Sequence, residues 1–323
     1  MSTTTTTSSL TARISVVAAF GLMVVSNFLS TATKLLNNTD NAQISRENPT
    51  YLSPDGATFS IWGLIYLFEA ILVVYQAFPS SNAQVLGGST RQWIVAAFIA
   101  NAVWLPIFSY HRWFLSFAVI VGYLYSLYKT NLSMKINYGD NTNNVSAAVQ
   151  TMAMVGISLN MAWVVVATLL NFTIVSRNSG IIITVVQEGV TNTTAGTVTP
   201  FTSAVVGGDV DWAILCIVIA SLLAMYRAWT YADVPYSFVT AWALGGIYRM
   251  QTYASDENFP KYAKSTDLAN WAITFSLLVG VGGLVALSKA VYRGCTTESV
   301  SGGMVDAGLT RRLSGNNKPE TFV

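Results

Sequence analysis

Residues 59–78 read FSIWGLIYLFEAILVVYQAF, and this stretch decides the fold. One charged residue, Glu69, stands in a run that is otherwise uncharged and mostly apolar. A helix rises about 1.5 Å per residue, so about 20 residues cross the roughly 30 Å of hydrocarbon in a bilayer. Backbone amides find no water there, which leaves a helix as the structure of such a segment. Blocks of the same kind recur at 14–36, 92–110, 113–132, 147–175, 212–229, 234–250 and 269–292. Together they predict an all-α integral membrane protein with eight spans. The block at 234–250 is the weakest, with a short apolar centre and Pro235 at its start, where a first helical turn tolerates proline. Without it the chain has seven.

Composition leads the same way. Of 323 residues, 52% are hydrophobic and 10% charged, with a mean hydropathy of +0.48, whereas a soluble domain carries about a quarter charged residues. The formal charge of +2 and the scatter of basic residues over many loops exclude a nucleic-acid partner. Cys216 falls inside a span and Cys295 just beyond the last one, so no disulfide framework or zinc site follows. No Ser-His-Asp set, phosphate-cradling loop or metal-spaced cluster is present, and the chain is read as non-enzymatic. A retinal Schiff base is also excluded, since Lys289 lies near the end of the last span rather than at its middle.

Polar segments separate these blocks. Residues 1–12 and 294–323 read as disordered tails, and 37–58 and 178–211 as extramembrane loops rich in Asn, Thr, Ser and Gly. The first loop ends in Ser53-Pro54-Asp55-Gly56, a turn that would fold it over the mouth of the helix bundle. The second contains an alternating stretch at 180–187, strand-like by pattern, and Asn192-Thr193-Thr194, an N-glycosylation acceptor pattern. The kinase-site pattern Arg311-Arg312-Leu313-Ser314 and the PDZ-ligand-like ending Glu320-Thr321-Phe322-Val323 are short enough to arise by chance and carry no weight. Of the 17 Lys and Arg residues, ten fall on the side of the N-terminus, which favours cytosolic termini.

An unpaired polar group in hydrocarbon costs free energy, so each polar side chain in a span asks for a partner. In the second span Trp62, Tyr66 and Glu69 follow at intervals of four and three and share one helical face. Two readings of Glu69 stay open: a site for a proton or cationic ligand, or a neutral carboxyl hydrogen-bonded to a neighbouring helix. In the third span Asn101 and Trp104 face one way, and Pro106 frees the carbonyl of Ala102 and bends the helix. In the fifth, Asn160, Trp163, Ala167 and Asn171 lie on one face. Taken singly, the asparagines are interhelical glue worth about 0.6 kcal/mol each. Taken together, three helices that each present a tryptophan beside a polar group line an aromatic cavity for a flat apolar ligand. The lone histidine, His111, lies in the turn between the third and fourth spans, either solvated or an axial ligand to haem.

Three motifs resemble the translocator protein or tryptophan-rich sensory protein (TspO) family. Pro54 with Phe59-Ser60-Ile61-Trp62-Gly63-Leu64-Ile65-Tyr66 resembles its start of helix two. Asn101-Ala102-Val103-Trp104-Leu105-Pro106-Ile107-Phe108 is similar to its helix-three motif, and Ala162-Trp163, Ala167-Thr168 and Asn171-Phe172 to its helix-five motif. The stretch from Asp233-Val234-Pro235-Tyr236 through Ala241-Trp242-Ala243-Leu244-Gly245-Gly246 resembles the end of a longer branch with extra helices. The resemblance implies a TspO-like five-helix transmembrane bundle over 13–177 plus about three further helices over 212–293. It also implies a pocket for tetrapyrroles such as porphyrin or haem, or for sterols, lined or supported by Trp62, Asn101, Trp104, Trp163 and Ala167. The chain departs from the pattern at Phe59-Ser60, Gly56, Leu159-Asn160 and Phe172, positions that touch the pocket and the sterol motif; a second sterol-type pattern occurs at Val121, Tyr123 and Lys129.

Three functions follow as expectations. The first is transport or sensing of a small hydrophobic ligand; the second is proton-coupled transport through Glu69. The third is a structural role in a homo-oligomer or membrane complex, with Gly282 and Ala286 as a small-residue contact surface.

Overall fold

The computed structural model describes residues 10–39, 43–44, 47–48, 50–78, 86–139, 147–178, 209–253 and 264–314. The strand-like stretch at 180–187, Asn192 and residues 320–323 lie outside them.

Among the described residues eight long helices run in order: α1 (Leu10–Thr31), α2 (Ile61–Ala77), α3 (Gly88–Ser109), α4 (Trp113–Gly139), α5 (Ala147–Asn178), α6 (Asp209–Tyr231), α7 (Val234–Thr252) and α8 (Thr266–Ser314). A 3₁₀ turn, Gly56–Ser60, leads into α2. Helix α1 therefore starts inside the expected N-terminal tail, and α8 continues past Tyr292 into the expected C-terminal one.

Six segments among the described residues are long and apolar enough to cross a membrane: Leu10–Thr31, Gly56–Ala77, Gly88–Ser109, Thr151–Ser176, Val210–Tyr231 and Thr266–Tyr292. The exceptions are α4 and α7. Tyr123, Tyr125, Tyr128 and Lys129 dilute the apolarity of α4. Helix α7 carries Arg249 and Gln251 and packs against α5, α6 and α8, so protein rather than lipid meets much of its surface. That environment explains its short apolar centre.

Helices α1, α3, α4 and α5 pack in sequence, and α2 closes the group against α5 and α1. Helix α5 is the axis of the molecule, with 61% of its span buried against 22% for α8. One apolar core, holding Ile65, Phe98, Ile120, Ile157 and Trp163, also takes in Ala224, Tyr236, Val239, Ala243 and Val279 from the last three helices. A smaller cluster joins Leu52 to Cys216, Ile247 and Leu268. Large apolar side chains such as Leu22, Phe28, Leu222, Leu277 and Leu284 face outward, as a lipid-facing belt requires. Ala286 is buried, and Gly283 packs against Ser237, so α8 uses small residues within the chain.

Candidate functional site

At the centre of α1–α5 the polar side chains form one relay. The Tyr66 hydroxyl donates to Asn27 Oδ1 (2.5 Å) and Asn27 Nδ2 to Asn101 Oδ1 (2.7 Å). Asn101 Nδ2 donates to the Tyr123 hydroxyl (3.1 Å), which donates to Asn160 Oδ1 (2.8 Å), and Asn160 Nδ2 reaches Glu69 Oε1 (2.5 Å). All five helices contribute, and the relay begins and ends on α2, three residues apart. Every donor points toward the carboxyl group. Asn101, Tyr123, Asn160 and Glu69 are fully buried. In this low-dielectric setting linked hydrogen bonds polarise one another, and an unpaired member is costly. One such atom remains: Glu69 Oε2 is buried without a partner.

A glycine makes this geometry possible. A Cβ on Gly156 would lie 3.1 Å from Glu69 N and from Phe68. Its absence lets α5 approach the α2 backbone beside the carboxyl group.

Aromatic rings sit against one end of the relay. Tyr66 stacks on Trp62 (5.2 Å between centroids), Trp62 meets Trp163 edge-on (6.1 Å), and Trp163 meets Phe59 (5.6 Å). Trp62 and Tyr66 are half-buried, and Trp163 is buried. Tyr66 thus belongs to both groups, its ring in the aromatic set and its hydroxyl in the relay. Trp104 goes elsewhere. It pairs with Phe108 (5.7 Å), which in turn meets Trp113 (5.4 Å), and its buried Nε1 has no partner. The three tryptophans of the sequence reading therefore divide into two groups, Trp62 with Trp163 and Trp104 with Phe108. Asn171 also stands apart, donating to Ser116 (3.0 Å), and Ala167 packs half-buried on the core.

The carbonyl of Ala102, which Pro106 leaves without its helical donor, accepts from the Ser26 hydroxyl at 2.6 Å. His111 is exposed, adopts a left-handed backbone (φ 55°) and lies 5.1 Å from the Trp113 ring. Tyr123 points inward while Val121 is 43% exposed, so the sterol-type pattern does not share one face.

The first loop docks onto α7, beside the aromatic set. Arg249 grips Asp55 with two hydrogen bonds (2.9 and 3.0 Å), and Asp55 N donates to Gly246 O (3.1 Å). Trp242 Nε1 donates to Thr58 O (2.9 Å) and Gln251 Nε2 to Tyr51 O (3.0 Å). A Cβ on Gly246 would fall 2.0 Å from Thr58 Oγ1, so only glycine fits. Burial pushes the Asp55 carboxyl up, but the hydrogen bonds from Arg249 and Thr58, with the Arg249 charge, outweigh it and hold the group below its usual range. Near the opposite ends of the helices, Arg227 of α6 pairs with Asp233, the N-cap of α7. Ser158 of α5 donates to Asp233, Arg227 reaches Asn131 of α4 (3.3 Å), and its guanidinium lies over Tyr236 (4.8 Å).

The sequence reading missed Asn27 as a partner and took Tyr123 only as part of a sterol pattern. A polar residue at helix centre was a usable signal for both, as it was for Asn101.

Apolar helices with a buried polar relay at their centre define a multi-pass helical membrane protein. A family model for TSPO-like protein matches residues 13–285, most of the chain. The chain belongs to that family, and the match extends through α6 and α7 into α8. Neither a search of curated proteins nor one of solved structures returned a match.

Proposed function

We propose that the protein binds a flat hydrophobic ligand of tetrapyrrole type against Trp62, Trp163 and Tyr66, for transport or sensing, without catalysing a reaction. The observation that carries this reading is the double role of Tyr66. Its ring extends the aromatic surface, which suits a planar apolar molecule, and its hydroxyl anchors that surface to a relay spanning five helices. Asn27 and Asn101 support the set from below, and Phe59 closes one side. Neither His111, exposed in the α3–α4 turn, nor Cys216, in the other apolar cluster, belongs to this set, so a metal-free porphyrin is the probe that reads ring stacking alone.

Titration with protoporphyrin IX, followed by tryptophan fluorescence, tests the reading. Trp62→Phe and Trp163→Phe are expected to weaken binding roughly 2- to 10-fold each, the range of one aromatic contact. Trp104→Phe, in the second aromatic group, is expected to do less. Unchanged affinity in both of the first two variants would overturn the proposal.

A second reading rests on a different observation, the unpartnered Glu69 Oε2 at the end of a one-directional donor chain. It makes Glu69 a proton-exchange site in a coupled transporter. Glu69→Gln in proteoliposomes then abolishes pH-gradient-driven porphyrin uptake while binding persists. Uptake that survives the substitution eliminates this reading.

A further inference from the structure

Three of the buried side-chain atoms that lack a partner lie where α1 and α3 begin and α2 ends: Arg13 Nε, Gln76 Oε1 and Arg91 Nε. Gln76 is 3% exposed and Arg91 6%. Gln76 Nε2 donates to Arg13 O at 3.2 Å, which ties α2 to α1 and leaves Oε1 as the unused half of the amide. Helices α1 and α3 run parallel in the register set by Ser26 with Ala102 and Asn27 with Asn101, which brings Arg13 and Arg91 to the same end of the bundle. Two like charges are thus held together, and no carboxylate of the described residues answers them. Helix α3 begins at the same place, capped by Gly87, which has no side chain to offer, and its first turn holds no acidic residue. Its amide dipoles add to the positive field. Lys129, over the ring of Trp93 at 5.6 Å, adds a further cation on α3's neighbour α4.

We propose that this corner is a site for a phosphate group, taken from the headgroup of an acidic phospholipid at the membrane face. Guanidinium groups match phosphate oxygens in geometry as well as charge, and a bound phosphate removes the repulsion between Arg13 and Arg91. The spans begin and end at this level, which is where headgroups lie. Gln76 Oε1 needs a donor, which a hydroxyl on the headgroup provides. The site is separate from the aromatic set and independent of the ligand proposed there.

The test is lipid retention by the full-length protein in mild detergent, read by native mass spectrometry with phosphatidylglycerol or phosphatidylcholine. Wild type is expected to retain phosphatidylglycerol preferentially, and each of Arg13→Gln and Arg91→Gln to lower that retention about fivefold. Inorganic phosphate serves as the second probe. If it displaces the lipid, the site accepts free phosphate as well. If it alone raises the unfolding temperature of wild type, with no lipid preference, phosphate is the ligand but its source is soluble, and the lipid assignment falls. Phenylglyoxal labelling of wild type covers the case in which a variant fails to fold: phosphatidylglycerol should protect Arg13 and Arg91. Equal retention of both lipids with no response to phosphate, or labelling unaffected by either probe, overturns the proposal.

Discussion

Helices α1–α5 and helices α6–α8 are joined by different chemistry. The first group is cross-linked by neutral amides and hydroxyls, from Asn27, Asn101, Tyr123 and Asn160, and Glu69 is the only acid in its helices. The last three helices attach to that group through charged pairs, Arg227 with Asp233 and Arg249 with Asp55. Both acids of those pairs have a countercharge and several hydrogen bonds. Glu69 has one hydrogen bond and one unused oxygen. Satisfied charges near the helix ends serve assembly, whereas a half-satisfied acid at the centre of a span is retained at a cost in stability. That asymmetry supports placing the proposed ligand in the five-helix part.

The contrast predicts a graded series, measured as unfolding of the purified protein in detergent. Arg227→Met should do most damage, about 3–5 kcal/mol, because it strands Asp233 without its partner. Pairing it with Asp233→Asn should recover much of the loss; no recovery would break the assignment of this pair as a clamp.

Next comes Gly246→Ala, expected to cost about 1–3 kcal/mol through the collision with Thr58. It should also loosen the first loop, seen as faster proteolysis there, and an unaltered cleavage rate would show that the loop does not depend on α7. Tyr123→Phe interrupts the relay at its midpoint and leaves Asn101 and Asn160 each short of a partner. About 1 kcal/mol is expected, in line with single hydrogen bonds between membrane helices. A loss matching Arg227→Met would erase the distinction between the two regions.

The smallest effect concerns pH. The folded-state carboxyl of Asp55 ionises below its ordinary value of about 3.9. Its contribution is therefore complete above that value and disappears as pH falls through the lower folded one. Partial exposure keeps it under about 1 kcal/mol. Asp55→Asn should flatten the acid limb of the stability profile below about pH 4 and lower the neutral plateau by that same contribution, under about 1 kcal/mol. A plateau that falls by several kcal/mol would mean that the Asp55 side chain has a role beyond its charge.

Much of the architecture was legible because spans announce themselves: hydrocarbon forbids unpaired amides, so length and apolarity nearly determine the helices. Val234–Thr252, the weakest by hydropathy, is a helix all the same, with Pro235 in the first turn that tolerates it. The site was legible in part. Trp62, Tyr66 and Glu69 share a face by spacing alone, and Asn101, Asn160 and Asn171 stood out as polar groups in apolar surroundings, whereas Asn27 was missed. The position of Asn160 is one where the chain departs from the family pattern, and it is the residue that contacts Glu69.

Sequence alone established the membrane class, the helices and which polar residues needed partners, since each of those follows from local transfer free energy. Tertiary structure alone decided which partners they found. Whether Trp104 meets Trp62 or Phe108, and whether Asn27 or another residue completes the relay, depends on rotation and depth between helices far apart in the chain. Those quantities are set by close approaches such as Gly156 on α2 and Gly246 on Thr58, which no periodicity within one helix encodes.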